Sequence, residues 1–481
     1  MKNEKKYLTK KSEDISKWYG EVIEKAALAD YSPVKGCMVI RPYGYAIWEL
    51  VQRTIDAWFK EDGVQNAYFP VFVPYSLLQK EKSHIAGFSP ELAVVTIGGG
   101  EKLAEPLVVR PTSEAIMYEM FSKWISSYKD LPLKINQWCN VVRWEKRTYP
   151  FLRTTEFLWQ EGHTVHQTED EAMEMVYKAL QWYKDFYEKY MGIAVYVGEK
   201  SDSEKFAGAK RTFTIEIVIP NGKALQAATS HNLGQNFAKT FDLKFLDENN
   251  TEQNPFQTSW GLSTRSIGGL ILSHGDDNGL IIPPKIAPYQ VVIVAIEGQN
   301  EEAQKQVVVA VKKVQQLLKL EKLSYLLDNN FDKTIGYRLN DAEIKGIPLR
   351  IEIGSREAES DKVTISRRDT MQKEQVTLKN LADYISEAMQ SMQDALYERS
   401  RETRDRLTVN VDSFDEFDRI MREDRKFIRA YWCESATCET SIKEKTKATT
   451  RLVELDEKPS DGTCIYCKNK ARRRWLFAQS Y

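Results

Sequence analysis

Residues 143–163 read Arg143-Trp144-Glu145-Lys146-Arg147-Thr148-Tyr149-Pro150-Phe151-Leu152-Arg153-Thr154-Thr155-Glu156-Phe157-Leu158-Trp159-Gln160-Glu161-Gly162-His163. The two ends of this stretch read as strands carrying charge on one face, joined by the polar, basic turn Lys146–Pro150. In a strand, side chains alternate between faces, so Arg143 and Glu145 are expected on the same side, with a cation and an acid sharing one pocket. Such a surface suits a polyphosphate.

Further polar clusters lie between apolar runs on both sides of it: Arg110-Pro111-Thr112-Ser113-Glu114 upstream, and Ala228-Thr229-Ser230-His231-Asn232-Leu233-Gly234 and Trp260-Gly261-Leu262-Ser263-Thr264-Arg265 downstream. No GxxxxGK[ST] phosphate loop is present, and Gly98-Gly99-Gly100-Glu101-Lys102 lacks its spacing, so a nucleotide site would be of the antiparallel-sheet kind. The 481 residues imply roughly three domains. A hydrophobic share of 42% with 28% charged residues describes a water-soluble chain. No run reaches the roughly 18 apolar residues of a membrane span, and the charged start MKNEKKYLTKK has no apolar core, so a cytoplasmic protein without a membrane partner is expected. The net charge of −1 excludes a globally basic nucleic-acid binder, leaving local patches for any such contact.

Ile282-Pro283-Pro284-Lys285-Ile286-Ala287-Pro288 reads as a stiff linker. Beyond it, strand-like Val291 to Ile296, helix-like Glu301 to Leu320, extended Ser324 to Leu327, helix-like Asp332 to Lys345 and strand-like Leu349 to Ile353 alternate as an α/β domain. Residues 377–406 are charged and helix-favouring and read as a connecting helix, with a last unit over 407–481.

Four of the six cysteines fall in that last unit, as Cys433-x₄-Cys438 and Cys464-x₂-Cys467. The spacing suits a closed tetrahedral thiolate site for Zn²⁺, with a disulfide pair or free thiols as the alternatives; a reducing cytoplasm weighs against the disulfides. Cys37 and Cys139 read as small buried residues, and His84, His166 and His274 as structural histidines. The run Lys470-Ala471-Arg472-Arg473-Arg474 reads as a solvated surface, with phosphate contact as the alternative.

In order and spacing these clusters resemble the prolyl-tRNA synthetases, class II enzymes of the archaeal and eukaryotic type also found in some bacteria, over nearly the whole length. Arg143-x-Glu145 matches the start of motif 2, Arg265 the arginine of motif 3, and Gly63 to Pro74 (GVQNAYFPVFVP), with Pro70, the end of motif 1. The resemblance implies an α+β fold: an antiparallel-sheet class II catalytic domain over 1–282, a linker 283–288, an α/β anticodon-binding domain over 289–376, the connecting helix, and a small zinc-binding α+β C-terminal domain. It implies ATP, Mg²⁺ and structural Zn²⁺, L-proline and tRNA(Pro) as substrates, and a homodimer formed through motif 1.

Amino-acid activation gathers negative charge on phosphoryl oxygens, so cations serve it better than a base. The resemblance places Arg143 on the α-phosphate and Arg265 on adenine or the γ-phosphate, with Phe157 on the other adenine face. Glu145 and Glu216 are implied for Mg²⁺ or the adenine amino group, and Gln226, Thr229 and Ser263 as further ATP contacts. For proline, Thr112 and Glu114 would take the imino group, Trp159, Glu161 and Phe206 would shape the pocket, and His231 would lie against the substrate. Glu343, Lys345 and Arg350 match positions near the anticodon, and Tyr481 is implied to fold back toward the active site. Between Glu161 and Trp260 there is no room for the editing insertion of many bacterial relatives, so no hydrolysis of alanyl-tRNA is expected. A threonyl enzyme is the first rival, opposed by Thr112-x-Glu114 and Thr229-Ser230-His231. A non-catalytic paralogue is the second, opposed by the retained Arg143 and Arg265.

Overall fold

The Glu156–His166 strand lies inside an antiparallel sheet, between Leu133–Val142 and Phe256–Ser263. This is seen in a computed structural model, which describes residues 7–80 and 92–481; His84 lies outside the described residues. The sheet continues through Ala224–Gly234, Arg211–Val218 and Val195–Glu199, all antiparallel, and ends at Gln65–Asn66, which runs parallel to Leu133–Val142. The alternation read from the sequence holds along Glu156–His166. Phe157, Trp159, Glu161 and His163 line a cavity on one face. On the other face Gln160 accepts from the Tyr183 hydroxyl at 2.6 Å, and Gly162 lies against Trp260. A Cβ at position 162 would come within 2.3 Å of that indole, so the close strand contact requires glycine.

Two helices cover the back of the sheet. Pro42–Glu61 begins with proline at its first turn and buries Trp48 and Phe59. Glu169–Asp185 begins with a capping box in which Thr168 Oγ1 accepts from Glu171 N and the Glu171 carboxylate accepts from Thr168 N, both at 3.3 Å. The Phe59, Trp182 and Trp260 rings meet between these helices and the sheet.

The expectation that Arg143 and Glu145 continue a strand is corrected by the structure. Pairing stops at Val142↔Glu156, because Pro150 and Phe151, the latter at φ 59°, turn the chain out of the ladder. Arg143 to Glu145 therefore lie in the loop beyond the strand end, and Phe151 to Arg153 lie in a turn. Arg143 N still donates to Thr155 O at 2.8 Å, so its position is fixed, whereas Glu145 turns to Arg153 at 2.9 Å. Gly99 and Gly100, both at positive φ, form the tip of the hairpin between Ala93–Gly98 and Glu101–Val109, a turn rather than a phosphate cradle.

The chain between Glu161 and Trp260 builds only strands and helices of this same domain. After residue 288 a five-stranded sheet follows. Val291–Ala295 lies parallel to both Tyr325–Asp328 and Leu349–Ile353, and Lys362–Arg367 and Lys373–Thr377 add antiparallel edges. Helix Leu381–Arg406 leads back to the first sheet. There Ala448–Glu454 pairs with Val195–Glu199, so the C-terminal strands extend the first sheet to eleven. At that seam Gly198 is required, since a Cβ would meet Val453 O at 2.1 Å. Among the described residues no helix is long and apolar enough to cross a membrane.

Candidate active site

The cavity over the exposed face of the Glu156–His166 strand has a volume of about 260 Å³. Same-face residues repeat every two positions, so Phe157 and His163 are separated by about 20 Å of strand, and the two ends of the site differ chemically. At the Phe157 end, the Arg143 guanidinium lies 5.5 Å from the Phe157 ring centroid and 5.4 Å from that of Trp159, and its Nε donates to Pro111 O at 3.1 Å. Arg265 opens the Arg265–His274 helix. Its Nε donates to Leu152 O at 3.0 Å, its Nη1 to Gln226 O at 3.4 Å, and its backbone N to Ser263 Oγ at 3.2 Å. Burial, then repulsion from Arg143 and Arg153, lowers the Arg265 pKa, so this end gathers more positive charge than its surroundings favour. An anion would relieve it.

The other end is acidic. Glu161 is buried, and its carboxylate accepts from Ser113 N at 3.1 Å, from Gln137 Nε2 at 3.0 Å and from His163 Nε2 at 3.2 Å. Burial opposes its charge, yet these donors, His163 foremost, hold its pKa below the ordinary carboxylate value. His163 also meets Tyr118 Oη at 3.2 Å; burial disfavours its charge, but Glu161 and Glu114 raise its pKa above 6.5. Glu114, in the first turn of the Glu114–Trp124 helix, accepts from the Thr112 hydroxyl. One ligand atom from each of Glu114, Glu161 and His163 falls within 4.8 Å of the others. Two carboxyl groups gathered beside one imidazole make an acidic corner, which suits a small cation.

The side wall consists of Phe206, tilted at 35° against His231 with 4.7 Å between centroids, with Lys200, Glu204 and Thr212. Thr212 Oγ1 lies 3.0 Å from His231 Nδ1. Burial, with His163 and Lys200 nearby, pushes the His231 pKa down to about 3, so its ring is neutral and serves as an apolar wall.

Of the residues expected from sequence, Thr112, Glu114, Arg143, Phe157, Trp159, Glu161, Phe206, Gln226, Thr229, His231, Ser263 and Arg265 all line this cavity. Glu145 and Glu216 do not. The Glu216 carboxylate is fully buried and taken by Arg451, whose Nη2 donates to both oxygens at 2.9 Å, with Lys200 at 3.6 Å. Sequence reasoning missed His163, Lys200, Glu204, Thr212 and Ser259. The alternation itself pointed to His163, the next same-face residue after Glu161. His166 and His274 are buried and hydrogen-bonded elsewhere, to Thr164 and to Met191 O. Cys139 is half-buried between Trp159 and Glu161, and Cys37 is also partly exposed.

Away from the cavity, the sulfurs of Cys433, Cys438, Cys464 and Cys467 lie within 4.8 Å of one another, a group able to hold a metal ion. The Cys433 sulfur is 3.6 Å from that of Cys438 and 3.7 Å from that of Cys467, far beyond a disulfide bond. In the five-stranded domain Arg350 binds Glu343 at 2.7 Å and Glu352 at 3.0 Å beside a cavity of about 60 Å³, while Lys345 pairs with Asp341 at 2.7 Å. Tyr481 returns to the catalytic sheet: its N donates to Ala224 O at 3.0 Å and its ring meets Tyr149 edge-on at 5.4 Å. In the basic tail, Lys470, Arg473 and Arg474 pair with Asp461, Glu434 and Asp412.

Residues 99–274 match the class II tRNA synthetase core domain family (G, H, P, S and T), residues 290–388 an anticodon binding domain, and residues 414–481 the family described as prolyl-tRNA synthetase, C-terminal. The chain is 50% identical to a proline–tRNA ligase of Borrelia garinii subsp. bavariensis, covering 99% of each. It is 50% identical to one of Natranaerobius thermophilus, covering 99% of this chain and 98% of the other. A proline–tRNA ligase 2 of Clostridioides difficile is 46% identical over the full length of both. Among solved structures, the prolyl-tRNA synthetase of Cryptosporidium parvum complexed with halofuginone and AMPPNP superposes with a TM-score of 0.94 at 41% identity, covering 99% of this chain and 97% of that one.

The cavity histidines are expected to titrate in opposite directions. His231 binds its proton less readily than in the unfolded chain, so the stability of the neutral form is present above pH 6.5 and lost as pH falls toward about 3. His163 binds its proton more readily, so its contribution is present below pH 6.5 and lost as pH rises through its raised pKa. Imidazole ¹⁵N shifts followed across this range should show His231 still neutral at mildly acidic pH and His163 titrating above the ordinary value. Coincident titration of the two would contradict the charge arrangement.

Proposed function

The chain belongs to the class II prolyl-tRNA synthetases, and we propose how its cavity divides that family's reaction among its residues. The reaction is the ATP-dependent ligation of L-proline to the 3′ end of tRNA(Pro), releasing AMP and pyrophosphate. One observation carries the assignment: a single strand face presents an arginine–aromatic end and, two side chains further on, a buried di-acid pocket.

In the first step a proline carboxylate oxygen bonds to the α-phosphorus of ATP and the bond to pyrophosphate breaks. Arg143 and Arg265 bind the phosphates, and their positions are set beforehand by main-chain carbonyls, so little reorganisation accompanies the charge that develops. Phe157 stacks on adenine, and Gln226, Thr229 and Ser263 line the nucleotide side. The Glu114–Thr112 and Glu161–His163 pairs hold the ring ammonium, while Trp159, Phe206 and neutral His231 enclose the apolar ring. In the second step a terminal ribose hydroxyl attacks the adenylate carbonyl and AMP leaves.

Mg²⁺ would add charge neutralisation on the phosphates. Neither carboxylate expected for that role fits it here: Glu145 lies outside the cavity and pairs with Arg153, and Arg451 takes both oxygens of Glu216. We assign the four C-terminal cysteines to structural Zn²⁺. A tetrahedron with Zn–S bonds of about 2.3 Å has edges of about 3.8 Å, close to the sulfur separations here. The domain limits we propose are 1–282, 283–288, 289–376, 377–406 and 407–481; the limit after 376 falls one residue inside the strand Lys373–Thr377. Glu343 and Arg350, with Lys345 two residues beyond Glu343, form the proposed anticodon contact, an acid and cations apt for splayed guanines. Exposed Tyr68 and Phe72 in the motif 1 segment support a homodimer there, and we place the enzyme in the cytoplasm.

Purified protein should charge unfractionated tRNA with labelled proline, and Arg143→Ala should slow adenylate formation on the order of 10²-fold while leaving circular dichroism unchanged. Near-normal activity of the variant would remove Arg143 from that role. Elemental analysis should find one zinc per chain, lost in Cys464→Ser. Full-length protein without zinc that unfolds at the same temperature would contradict the metal assignment.

A further inference from the structure

Residues 200–206 carry three cavity-lining side chains, Lys200, Glu204 and Phe206, on a loop outside any strand or helix. Within its own domain Glu204 N and Lys205 N donate to Ser201 O, Lys200 N donates to Thr212 O at 2.9 Å, and Phe206 N donates to Thr212 Oγ1 at 2.9 Å. Further anchors come from the C-terminal unit. Glu439, buried in the Ala436–Thr446 helix, accepts from Ser201 Oγ at 2.9 Å and from the Ser203 hydroxyl, and it is itself braced by the Thr450 hydroxyl. Lys443 of the same helix lies 3.6 Å from Glu204. Arg451 holds Glu216, which faces Lys200. Thus the middle of the loop, Ser201 to Glu204, is tied to a helix more than 200 residues away in the chain, while its Phe206 end rests on Thr212 of the adjacent strand.

A buried carboxylate must find hydrogen-bond donors, and here the donors are the loop's own serines, so the position of the helix dictates that of the loop. We propose that Glu439 is a positioning residue for the amino-acid pocket. By holding Ser201 and Ser203 it fixes the Lys200–Phe206 wall, and the C-terminal unit thereby sets affinity for the amino acid without touching it. This rests on the reading of Phe206 and His231 as the walls around proline.

The test is steady-state ATP–pyrophosphate exchange with the full-length enzyme, comparing Glu439→Gln and the double variant Ser201→Ala/Ser203→Ala with the unaltered chain. Each should raise KM for proline about tenfold, as expected for loss of hydrogen bonds to a buried charge, with KM for ATP within about twofold. Unchanged KM for proline in both overturns the proposal. So does an equal rise in both KM values, which marks general loosening, and so does a rise confined to Glu439→Gln with loss of bound metal. Failure of the unaltered chain to exchange with proline would instead count against the functional reading.

Discussion

The Glu161 carboxylate, buried within a sheet, is the constraint on which the rest of the site depends. A charge so placed must be hydrogen-bonded, and stripping a buried charge of its partner costs about 3–5 kcal/mol. Its donors come from separate parts of the chain: Ser113 at the helix start, Gln137 on the neighbouring strand and His163 two residues on. Meeting that requirement locks the Thr112–Glu114 corner against the sheet. Arg110 secures the same corner from behind by donating to the carbonyls of Asn140 and Phe69. The acid to which the proposed function gives the ring ammonium therefore also shapes the cavity.

The opposite end follows the complementary logic. Arg143 sits where the ladder has just ended, so its guanidinium can leave the sheet and lie over Phe157 and Trp159. Arg265 enters from the start of a helix on the far side of Phe256–Ser263. Two like charges converging on one cavity disfavour the empty state, and a polyphosphate reverses that balance. Separation of acid and cation ends along one strand prevents them from neutralising each other, so each keeps its own ligand.

Much of this was legible in the sequence because it depends on local periodicity. Phe157, Trp159 and Glu161 came from the family resemblance, and the alternation of their strand agrees with it; the same rule, carried one step further, gives His163. The α/β pattern of 289–376 was readable for the same reason. Arg143 and Glu145 misled because periodicity does not tell where a ladder stops; Pro150 and the positive φ of Phe151 decide that. Glu216 alternates correctly on its strand, but the partner that claims it, Arg451, lies 235 residues away. Lys200 and Glu204 sit on a loop with no period at all.

The continuity of the catalytic and C-terminal sheets also joins the zinc-type cysteine cluster, the Glu439 helix and the wall of the cavity in one framework. The proposed function gives this cavity the selection of proline and its activation with ATP. Amino-acid-dependent ATP–pyrophosphate exchange, run separately with all twenty amino acids, tests that most directly. Exchange with proline far ahead of alanine and cysteine is the predicted result; exchange led by another amino acid, or none with any, would contradict it.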